Sequence, residues 1–149
     1  MNDALRERAL RLLAGRDYAR HELLQKLVPH AESTEQLEAL LDDLTARCLL
    51  SDERYARARI NSRAARLGDA RLAYELRAKG VADEVVNAAL ASGDDELTRA
   101  RRVWQRKFGG QPLAVGDPAG GARQMRFLSG RGFSGETIRR ILRGNLEDD

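Results

Sequence analysis

Cysteine, aromatic residues and long apolar runs are scarce in this 149-residue chain. A single cysteine, Cys48, excludes an internal disulfide framework, and we expect its small side chain to be half-buried. No apolar run is long enough to cross a membrane, and the N-terminus (MND) lacks the basic and apolar segments of a secretion signal. These absences favour a soluble cytoplasmic protein with no membrane partner.

Signatures of catalysis and of metal binding are also absent from the sequence. His21, His30 and Cys48 do not have metal-ligand spacing, and no serine or acid pair is placed with a basic partner. The segment from Gly109 to Ala122 is rich in glycine and proline, but it lacks the Gly-Lys-Ser or Gly-Lys-Thr of a phosphate-binding loop. We therefore predict a protein that is not an enzyme and that uses no cofactor or metal.

A seven-position pattern occurs twice in register and a third time in stretched form. The two matching copies are Leu76, Lys79, Gly80, Val81, Val86, Ala89, Leu90 and Leu128, Arg131, Gly132, Phe133, Ile138, Ile141, Leu142. With four extra residues in the turn, the N-terminal copy is Leu23, Lys26, Leu27, Val28, Leu37, Leu40, Leu41. This repetition indicates three tandem copies of one supersecondary unit.

Each copy has the pattern of a helix-turn-helix hairpin. Gly80 and Gly132 lie where the C-terminus of a helix favours a residue with positive φ, and Val81 and Phe133 should pack back onto the hairpin. A longer helix precedes each hairpin and carries an apolar stripe. The stripes are Leu5, Ala9, Leu12, Leu13; Ala56, Ile60, Ala64, Leu67; and Leu97, Arg101, Trp104, Phe108.

The sequence therefore predicts an all-α protein made of three tandem three-helix repeats in an elongated, curved array. The predicted repeats are residues 1–50, 51–93 and 94–149, with a flexible Gly/Pro-rich loop at 109–122 in the third. Helix starts are indicated by a capping box at Ser33 to Gln36, by acids after Ser51, by Asp83 and by Ser134. No helix carries a sustained heptad seam, so we expect a monomer.

The net charge of +3 conceals a gradient along the chain. Residues 1–50 hold 7 basic and 9 acidic groups, residues 51–93 hold 8 and 6, and residues 94–149 hold 11 and 8. The cations are 23 arginines and 3 lysines. Arginine suits bidentate contacts with phosphates and carboxylates, although a GC-rich genome would produce the same bias.

Arginine stripes recur on the predicted fourth, seventh and ninth helices. Any one stripe considered alone is better explained as an ordinary solvated face, but recurrence favours a basic surface that binds phosphate without reading sequence. The candidate residues for a partner or DNA contact are Arg57, Arg59, Arg63, Arg66, Arg71, Arg77, Lys79, Arg99, Arg102, Arg106, Arg126, Arg131, Arg139 and Arg143. We assign most of the seven aromatic residues to core packing rather than to base stacking, with Trp104 as the anchor of the third repeat.

Four segments resemble the RecX regulatory family in the right order. They are residues 16–27 (RDYARHELLQKL), 49–56 (LLSDERYA), 75–81 (ELRAKGV) and 127–133 (FLSGRGF). The resemblance implies three tandem three-helix modules and a non-enzymatic modulator of the RecA recombinase. Such a protein binds in the groove of the RecA filament on single-stranded DNA, spans neighbouring protomers, and inhibits ATP hydrolysis, strand exchange and co-protease activity.

Three positions depart from the family pattern. Ala19 stands where a Ser or Thr completes a capping box with Glu22, a loss of about 1 kcal/mol unless Asp17 substitutes. Cys48 replaces a glycine, at a cost on the order of 1 kcal/mol if its φ is positive. The first turn, residues 28–30 (VPH), replaces a glycine followed by an aromatic residue.

Three functions remain open on the sequence alone. The leading hypothesis is a regulator of the RecA filament whose second and third repeats make most of the electrostatic contact. The second is a direct, non-sequence-specific nucleic-acid-binding module that uses the basic helix faces. The third is a passive scaffold for another acidic partner.

Overall fold

The computed structural model describes residues 3–110 and 117–147, with side chains as far as residue 144. All regular structure within these residues is helical, which confirms the predicted all-α class and its three sets of three helices. A short 3₁₀ helix, Val28–His30, follows the second α-helix. The α-helices are α1 Asp3–Gly15, α2 Arg20–Leu27, α3 Thr34–Ala46, α4 Asp52–Arg63, α5 Asp69–Ala78, α6 Asp83–Ala91, α7 Glu96–Phe108, α8 Pro118–Gly130 and α9 Gly135–Glu147.

The chain divides into two compact units. The first unit comprises Met1–Arg59 and Leu76–Ala89, and the second comprises Ile60–Glu75 and Leu90–Asp149. The helices α4 and α5 each contribute residues to both units. The middle set of helices is therefore shared, and the predicted repeat boundaries do not coincide with the compact units.

The core of the first unit is built from leucines of α1, α2 and α3. Its buried members are Leu5, Ala9, Tyr18, Leu23, Leu27, Leu37, Leu40, Leu41, Leu44 and Leu50. Each leucine buried in this way contributes roughly 1.5–3 kcal/mol relative to an exposed side chain. The spacing of Leu37, Leu40, Leu41 and Leu44 places four of them on one face of α3.

The core of the second unit is built around Trp104, as expected. Its members are Ala100, Val103, Trp104, Phe108, Leu128, Phe133, Ile138 and Ile141. The Trp104 Nε1–H group donates a hydrogen bond of 2.8 Å to the buried Gln124 Oε1. Phe108 meets Phe127 edge to face, with 5.4 Å between ring centroids. An indole whose only polar atom is paired is well suited to a core position.

Three chain reversals share one geometry. Cys48, Gly80 and Gly132 have φ values of 61°, 82° and 91°. In each case the next residue donates its amide to a carbonyl five residues back, namely Leu49 to Leu44, Val81 to Leu76 and Phe133 to Leu128. This is the Schellman arrangement expected at the two glycines. Cys48 adopts it as well, but its side chain is exposed rather than half-buried.

The two turn glycines are required for a second reason, because another helix lies too close to each of them for a Cβ to fit. A Cβ on Gly132 would lie 2.8 Å from the backbone nitrogen and 3.0 Å from the Cα of Arg71, near the start of α5. A Cβ on Gly80 would lie 2.5 Å from the Cβ of His21, near the start of α2. Each turn therefore rests against another helix at a distance that only glycine allows.

The first hairpin differs from the other two at its turn. Val28 is 52% exposed, whereas its counterparts Val81 and Phe133 are each 4% exposed. The prediction that the three positions are equivalent is wrong for Val28. Pro29 continues the chain in a 3₁₀ turn, and Ala31, three residues beyond Val28, packs partly against the core instead.

The predicted loop at residues 109–122 is shorter than expected at its C-terminal side. Helix α8 begins at Pro118, so the expectation of a loop extending to Ala122 is wrong; residues 111–116 lie outside the described residues. Asp117 accepts a hydrogen bond of 2.9 Å from the amide of Gly120, and Pro118 occupies the first turn. These two helix-start signals outweigh the poor helix propensity of the following glycines.

Candidate functional site

Most of the predicted basic candidates are exposed. Three candidates are half-buried, namely Arg59, Arg63 and Arg131, and Arg99 is buried. The exposed candidates are Arg57, Arg66, Arg71, Arg77, Lys79, Arg102, Arg106, Arg126, Arg139 and Arg143. Helix α4 ends at Arg63, so Arg66 lies beyond the helix on which the stripe was predicted.

Arg99 does not lie on a solvated face, and its assignment to a basic surface is wrong. The residue is 6% exposed and its guanidinium pairs with Asp69. The buried face of α7 follows Ala100, Val103 and Trp104, and Arg99 lies on that face. Arg101, which was predicted in the apolar stripe, is exposed instead. The helical phase was misassigned because Arg101 shares the spacing of Leu97 and Trp104.

Several exposed candidates already have carboxylate partners. Arg77 pairs with Asp83 at 2.7 Å, Arg102 with Asp94 at 2.6 Å, and Lys79 lies 3.6 Å from Glu22. Exposed ion pairs contribute only about 0–1 kcal/mol. These cations can therefore exchange their present partner for a bound anion at small cost.

The half-buried candidates are held more firmly. Arg63 donates two hydrogen bonds to Glu75, at 2.5 and 2.8 Å, and Arg71 approaches the same carboxylate at 3.5 Å. Arg131 lies over the ring of Phe127, 5.1 Å from its centroid. The bidentate geometry of Arg63 is typical of a structural pair, so this side chain is a poor candidate for partner contact.

Carboxylates at the start of one helix cap the start of another, a feature that the sequence analysis missed. Asp52, the first residue of α4, accepts a hydrogen bond of 2.7 Å from the amide of Arg20, the first residue of α2. Glu96, the first residue of α7, accepts one of 3.1 Å from the amide of Asp69, the first residue of α5. Asp52 thus supplies an acceptor at the start of a helix whose N-cap residue, Ala19, has none, while Asp17 pairs with Arg54.

Glu96 has further partners at the start of α9. Its Oε1 also accepts from the amide of Ser134 at 3.2 Å, and its Oε2 accepts from the hydroxyl of Thr137 at 2.9 Å. Ser134 in turn caps α9 by accepting from the amide of Thr137 at 3.2 Å. A single carboxylate therefore links the N-termini of three helices in the second unit.

Two carboxylates near arginines have pKa values shifted in opposite directions. Burial alone would raise the pKa of Glu22. Hydrogen bonds from the Arg16 guanidinium, a hydrogen bond from the backbone N–H of Ala19 and the charge of Lys79 hold that pKa below its ordinary value. The pKa of Asp69 is raised, chiefly by burial and with a contribution from Glu96, despite the opposing charge of Arg99.

A cleft in the second unit brings together three predicted candidates. Arg99, Arg102 and Arg106 of α7 line a cavity of about 210 Å³, facing residues at the end of α4 and of α6. The structure thus places these three arginines around one cleft, and whether they contact a partner or DNA stays a prediction.

Tyr74 is the exception among the aromatic residues assigned to the core. Its side chain is 69% exposed on α5, whereas Tyr18 and Tyr55 are buried. The preceding residues Leu72 and Ala73 take the buried positions of that helix. Tyr74 is the aromatic ring with the greatest access to solvent among the seven, and the sequence pattern gave no sign of this.

Other classes of site receive no support from the described residues. Within residues 3–110 and 117–147, no group of three or more His, Cys, Asp or Glu side chains could hold a metal ion. Among the same residues, no helix combines the length and the apolar character needed to span a membrane.

Family models match two of the three sets of helices. A model described as the second three-helix domain of RecX matches residues 51–90, and one described as the third three-helix domain of RecX matches residues 94–142. Both matched ranges contain one leading helix and one hairpin.

Relatives and solved structures cover nearly the whole chain. A regulatory protein RecX of Chromobacterium violaceum is 44% identical over 146 residues, covering 98% of this chain and 93% of that protein. Another, of Leptothrix cholodnii, is 48% identical over 141 residues, covering 94% and 88%. The crystal structure of RecX from Lactobacillus salivarius superimposes with a TM-score of 0.83 over 99% of both chains, at 17% identity, a likeness of fold.

Proposed function

Because this chain belongs to the RecX family of regulatory proteins, we propose that it acts on the RecA recombinase as a non-catalytic inhibitor. In this proposal it binds in the helical groove of the RecA filament on single-stranded DNA. Its binding suppresses ATP hydrolysis, strand exchange and co-protease activity. It works in the cytoplasm, as a monomer, in the regulation of recombination and of the SOS response.

The observation that carries this proposal is the near full-length likeness to regulatory RecX proteins. The likeness extends through both family-matched ranges, which contain thirteen of the fourteen basic candidates, all except Arg143.

Inhibition would follow from contact with more than one protomer. Turnover of ATP in a filament requires neighbouring subunits to rearrange, and a protein bound to two of them resists that movement. The exposed arginines supply long, charged side chains for acidic protein surface or for DNA phosphates. Arg63 and Arg99 are removed from this contact set because both are committed to carboxylates inside the second unit.

The test is the DNA-dependent ATPase of RecA with the protein added in stoichiometric excess. We expect ATP hydrolysis and strand exchange to fall together, since both require the same filament rearrangement. A RecA ATPase that is unchanged at saturating protein, with the protein shown to be folded by circular dichroism, would contradict the proposal.

A second candidate is direct binding to nucleic acid without RecA. It is favoured by the charge of the second unit, which holds 14 basic and 10 acidic groups, net +4. Affinity for bare DNA should then fall by roughly 0.9 log unit per log unit of salt for each duplex phosphate contacted. Weak binding to bare DNA beside strong binding to the filament would reject this candidate.

A further inference from the structure

The cleft lined by Arg99, Arg102 and Arg106 has the features of a built site. It lies wholly within the second unit, and its other lining residues include Ile60, Asn61, Ala64 and Leu90. Its volume of about 210 Å³ is several times the roughly 30 Å³ that one water molecule occupies in the liquid. The lining therefore combines cationic side chains with apolar ones.

Arg99 supplies the most specific observation. The side chain is 94% buried, and one end of its guanidinium pairs with Asp69. Its Nε–H group is buried and has no hydrogen-bond partner among the described residues. A buried donor without a partner is uncommon in folded proteins, and it leaves the charge of Arg99 incompletely compensated beside the cleft that this residue lines.

Arg102 and Arg106 add donors at the open side of the cleft. Arg102 pairs with Asp94, which also lines the cleft, but both side chains are more than half exposed, so the pair is easily exchanged. Arg106 donates to the main-chain oxygen of Ala65 through one nitrogen of its guanidinium. Each guanidinium has five N–H donors, so both arginines retain capacity for an anion.

We propose that this cleft binds a phosphate group. The lining holds three arginines against the single carboxylate of Asp94, with Arg99 paired to Asp69 outside the lining, and phosphate oxygens match the forked donors that Arg102 and Arg106 present. The apolar lining residues accommodate the organic part of a phosphate ester. The phosphate comes either from a single-stranded nucleic-acid backbone or from a free phosphate or nucleotide. This inference does not depend on RecA.

The first experiment measures the anisotropy of a fluorescein-labelled 12-nucleotide thymidine strand bound to the full chain without RecA. We expect Arg102→Gln with Arg106→Gln to weaken binding about tenfold or more, because charge-assisted hydrogen bonds are lost. The slope of log affinity against log salt should fall by about 0.7 per phosphate contact removed. Arg126→Gln with Arg139→Gln is the matched control, since both residues are exposed in the same unit and neither lines the cleft.

A second pair of variants leaves every arginine in place. Gly93 lines the cleft, and a Cβ added there meets no atom within 4 Å, so Gly93→Glu introduces a carboxylate without a clash. Gly130→Glu makes the same change of charge at an equally open position on α8 that does not line the cleft. We expect Gly93→Glu to reduce binding about tenfold and Gly130→Glu to change it less than threefold.

A third arm identifies the source of the phosphate. Inorganic phosphate and adenosine diphosphate are added to each variant, and the melting temperature is compared with chloride at equal ionic strength. Stabilisation of the wild type but not of Gly93→Glu, without binding of the oligonucleotide, would assign the cleft to a free phosphate. Selective loss of oligonucleotide binding would assign it to a backbone phosphate.

Two results would overturn the proposal. Equal weakening by the cleft pair and by Arg126→Gln with Arg139→Gln would mean a diffuse basic surface without a site. Cleft-dependent binding of a polyglutamate peptide, with no response to phosphate or to the oligonucleotide, would mean a site for acidic protein. Either result leaves inhibition of RecA, measured separately, unaffected as a proposal.

Discussion

The two compact units use their charged residues for different purposes. The first unit holds 12 basic and 13 acidic groups, net −1, against 14 and 10 in the second, net +4. In the first unit Arg16, Arg20 and Arg54 each pair with carboxylates from other segments. In the second unit one arginine is buried with an unpartnered donor, and others line an open cleft. The surplus charge available to a partner therefore lies in the second unit.

The two units nevertheless share their structural devices. Each has a turn glycine against the start of a helix, and each has a carboxylate that caps a helix it does not belong to. In the second unit the glycine contact is tighter and the capping carboxylate accepts more hydrogen bonds. Gly132 meets backbone atoms where Gly80 meets a side chain, and Glu96 accepts three hydrogen bonds where Asp52 accepts one from the corresponding amide.

The largest effect is expected at the turn glycines. Gly132→Ala should lower the free energy of unfolding by at least about 2 kcal/mol, because a positive φ is combined with a collision against the backbone of α5. Gly80→Ala should cost less, since the atoms nearest its added Cβ are side-chain atoms of His21, with the His21 Cβ at 2.5 Å, and not backbone atoms. Urea denaturation measures both.

Gly130→Ala is the control for that pair. It lies in α8 with no atom within 4 Å of an added Cβ, so it should stabilise the protein by roughly 0.5–1 kcal/mol. Equal costs at Gly80 and Gly132 would show that the positive φ alone matters and that the close approaches do not.

The capping carboxylates should rank next. Glu96→Ala removes acceptors from the amides of Asp69 and Ser134, and we expect a loss of about 2 kcal/mol. Asp52→Ala removes one acceptor from Arg20, and we expect about 1 kcal/mol. Thermal and urea unfolding measure the two losses.

Two controls test whether the lost hydrogen-bond acceptor is the cause: one variant keeps a side-chain oxygen at the cap, and the other removes an acid that is not one of the caps described. Asp52→Asn retains a side-chain oxygen and should recover more than half of the loss, whereas Glu84→Ala removes an exposed first-turn acid from α6 and should stay within about 0.5 kcal/mol of the wild type. A loss at Glu84 as large as that at Asp52 would indicate a helix-dipole effect rather than a cap.

A smaller effect, of opposite sign, is expected in the first unit at Cys48. Its φ of 61° is the only positive value at a non-glycine residue among those described. Cys48→Gly should therefore raise the free energy of unfolding by roughly 0.5–1 kcal/mol. Cys48→Ala retains the Cβ and removes only the thiol, so it should give no such gain. If both substitutions stabilise equally, the thiol and not the backbone is responsible.

The pH dependence of stability should distinguish the units by sign. The pKa of Glu22 is lowered, so its contribution is present above the ordinary glutamate pKa of about 4.3 and is lost as pH falls below it. The pKa of Asp69 is raised, so stability increases as pH falls through the range just above the ordinary aspartate pKa of about 3.9.

The contribution of each carboxylate to stability is measured by urea titration of Glu22→Gln and Asp69→Asn between pH 3 and 7. At each pH the free energy of unfolding of the variant is subtracted from that of the wild type. The advantage of the wild type over Glu22→Gln should shrink toward acid pH. The difference between the wild type and Asp69→Asn should move in the opposite direction. Parallel curves would refute the contrast between the two carboxylates.

The sequence predicted local geometry better than it predicted partners across the fold. Helix starts at Ser33 and Ser134 and the positive φ at Gly80 and Gly132 depend on residues close in the chain, and they were correct. The positive φ at Cys48 was one of the expected alternatives for the same reason. The caps supplied by Asp52 and Glu96 join residues 32 and 27 positions apart, and no local pattern encodes them.

The candidate site could be predicted only in part for a related reason. An arginine stripe marks one face of a helix, but whether that face meets solvent depends on neighbouring helices. Arg99 was placed on a solvated face because Arg102 and Arg106 share its spacing, yet Asp69 of α5 pairs with it in the interior. Whether the remaining arginines contact protein or DNA stays a prediction.

The most direct test of a functional surface in the second unit is a titration of RecA filaments on single-stranded DNA, read by inhibition of ATPase. Arg126→Glu with Arg139→Glu reverses two exposed charges of the second unit, and Arg8→Glu with Arg11→Glu reverses two exposed charges of the first. We predict that the first pair raises the concentration needed for half-inhibition at least tenfold, on the order expected for two lost charged contacts. The second pair should raise that concentration less than threefold. Equal effects, or a greater effect from Arg8 and Arg11, would contradict the assignment.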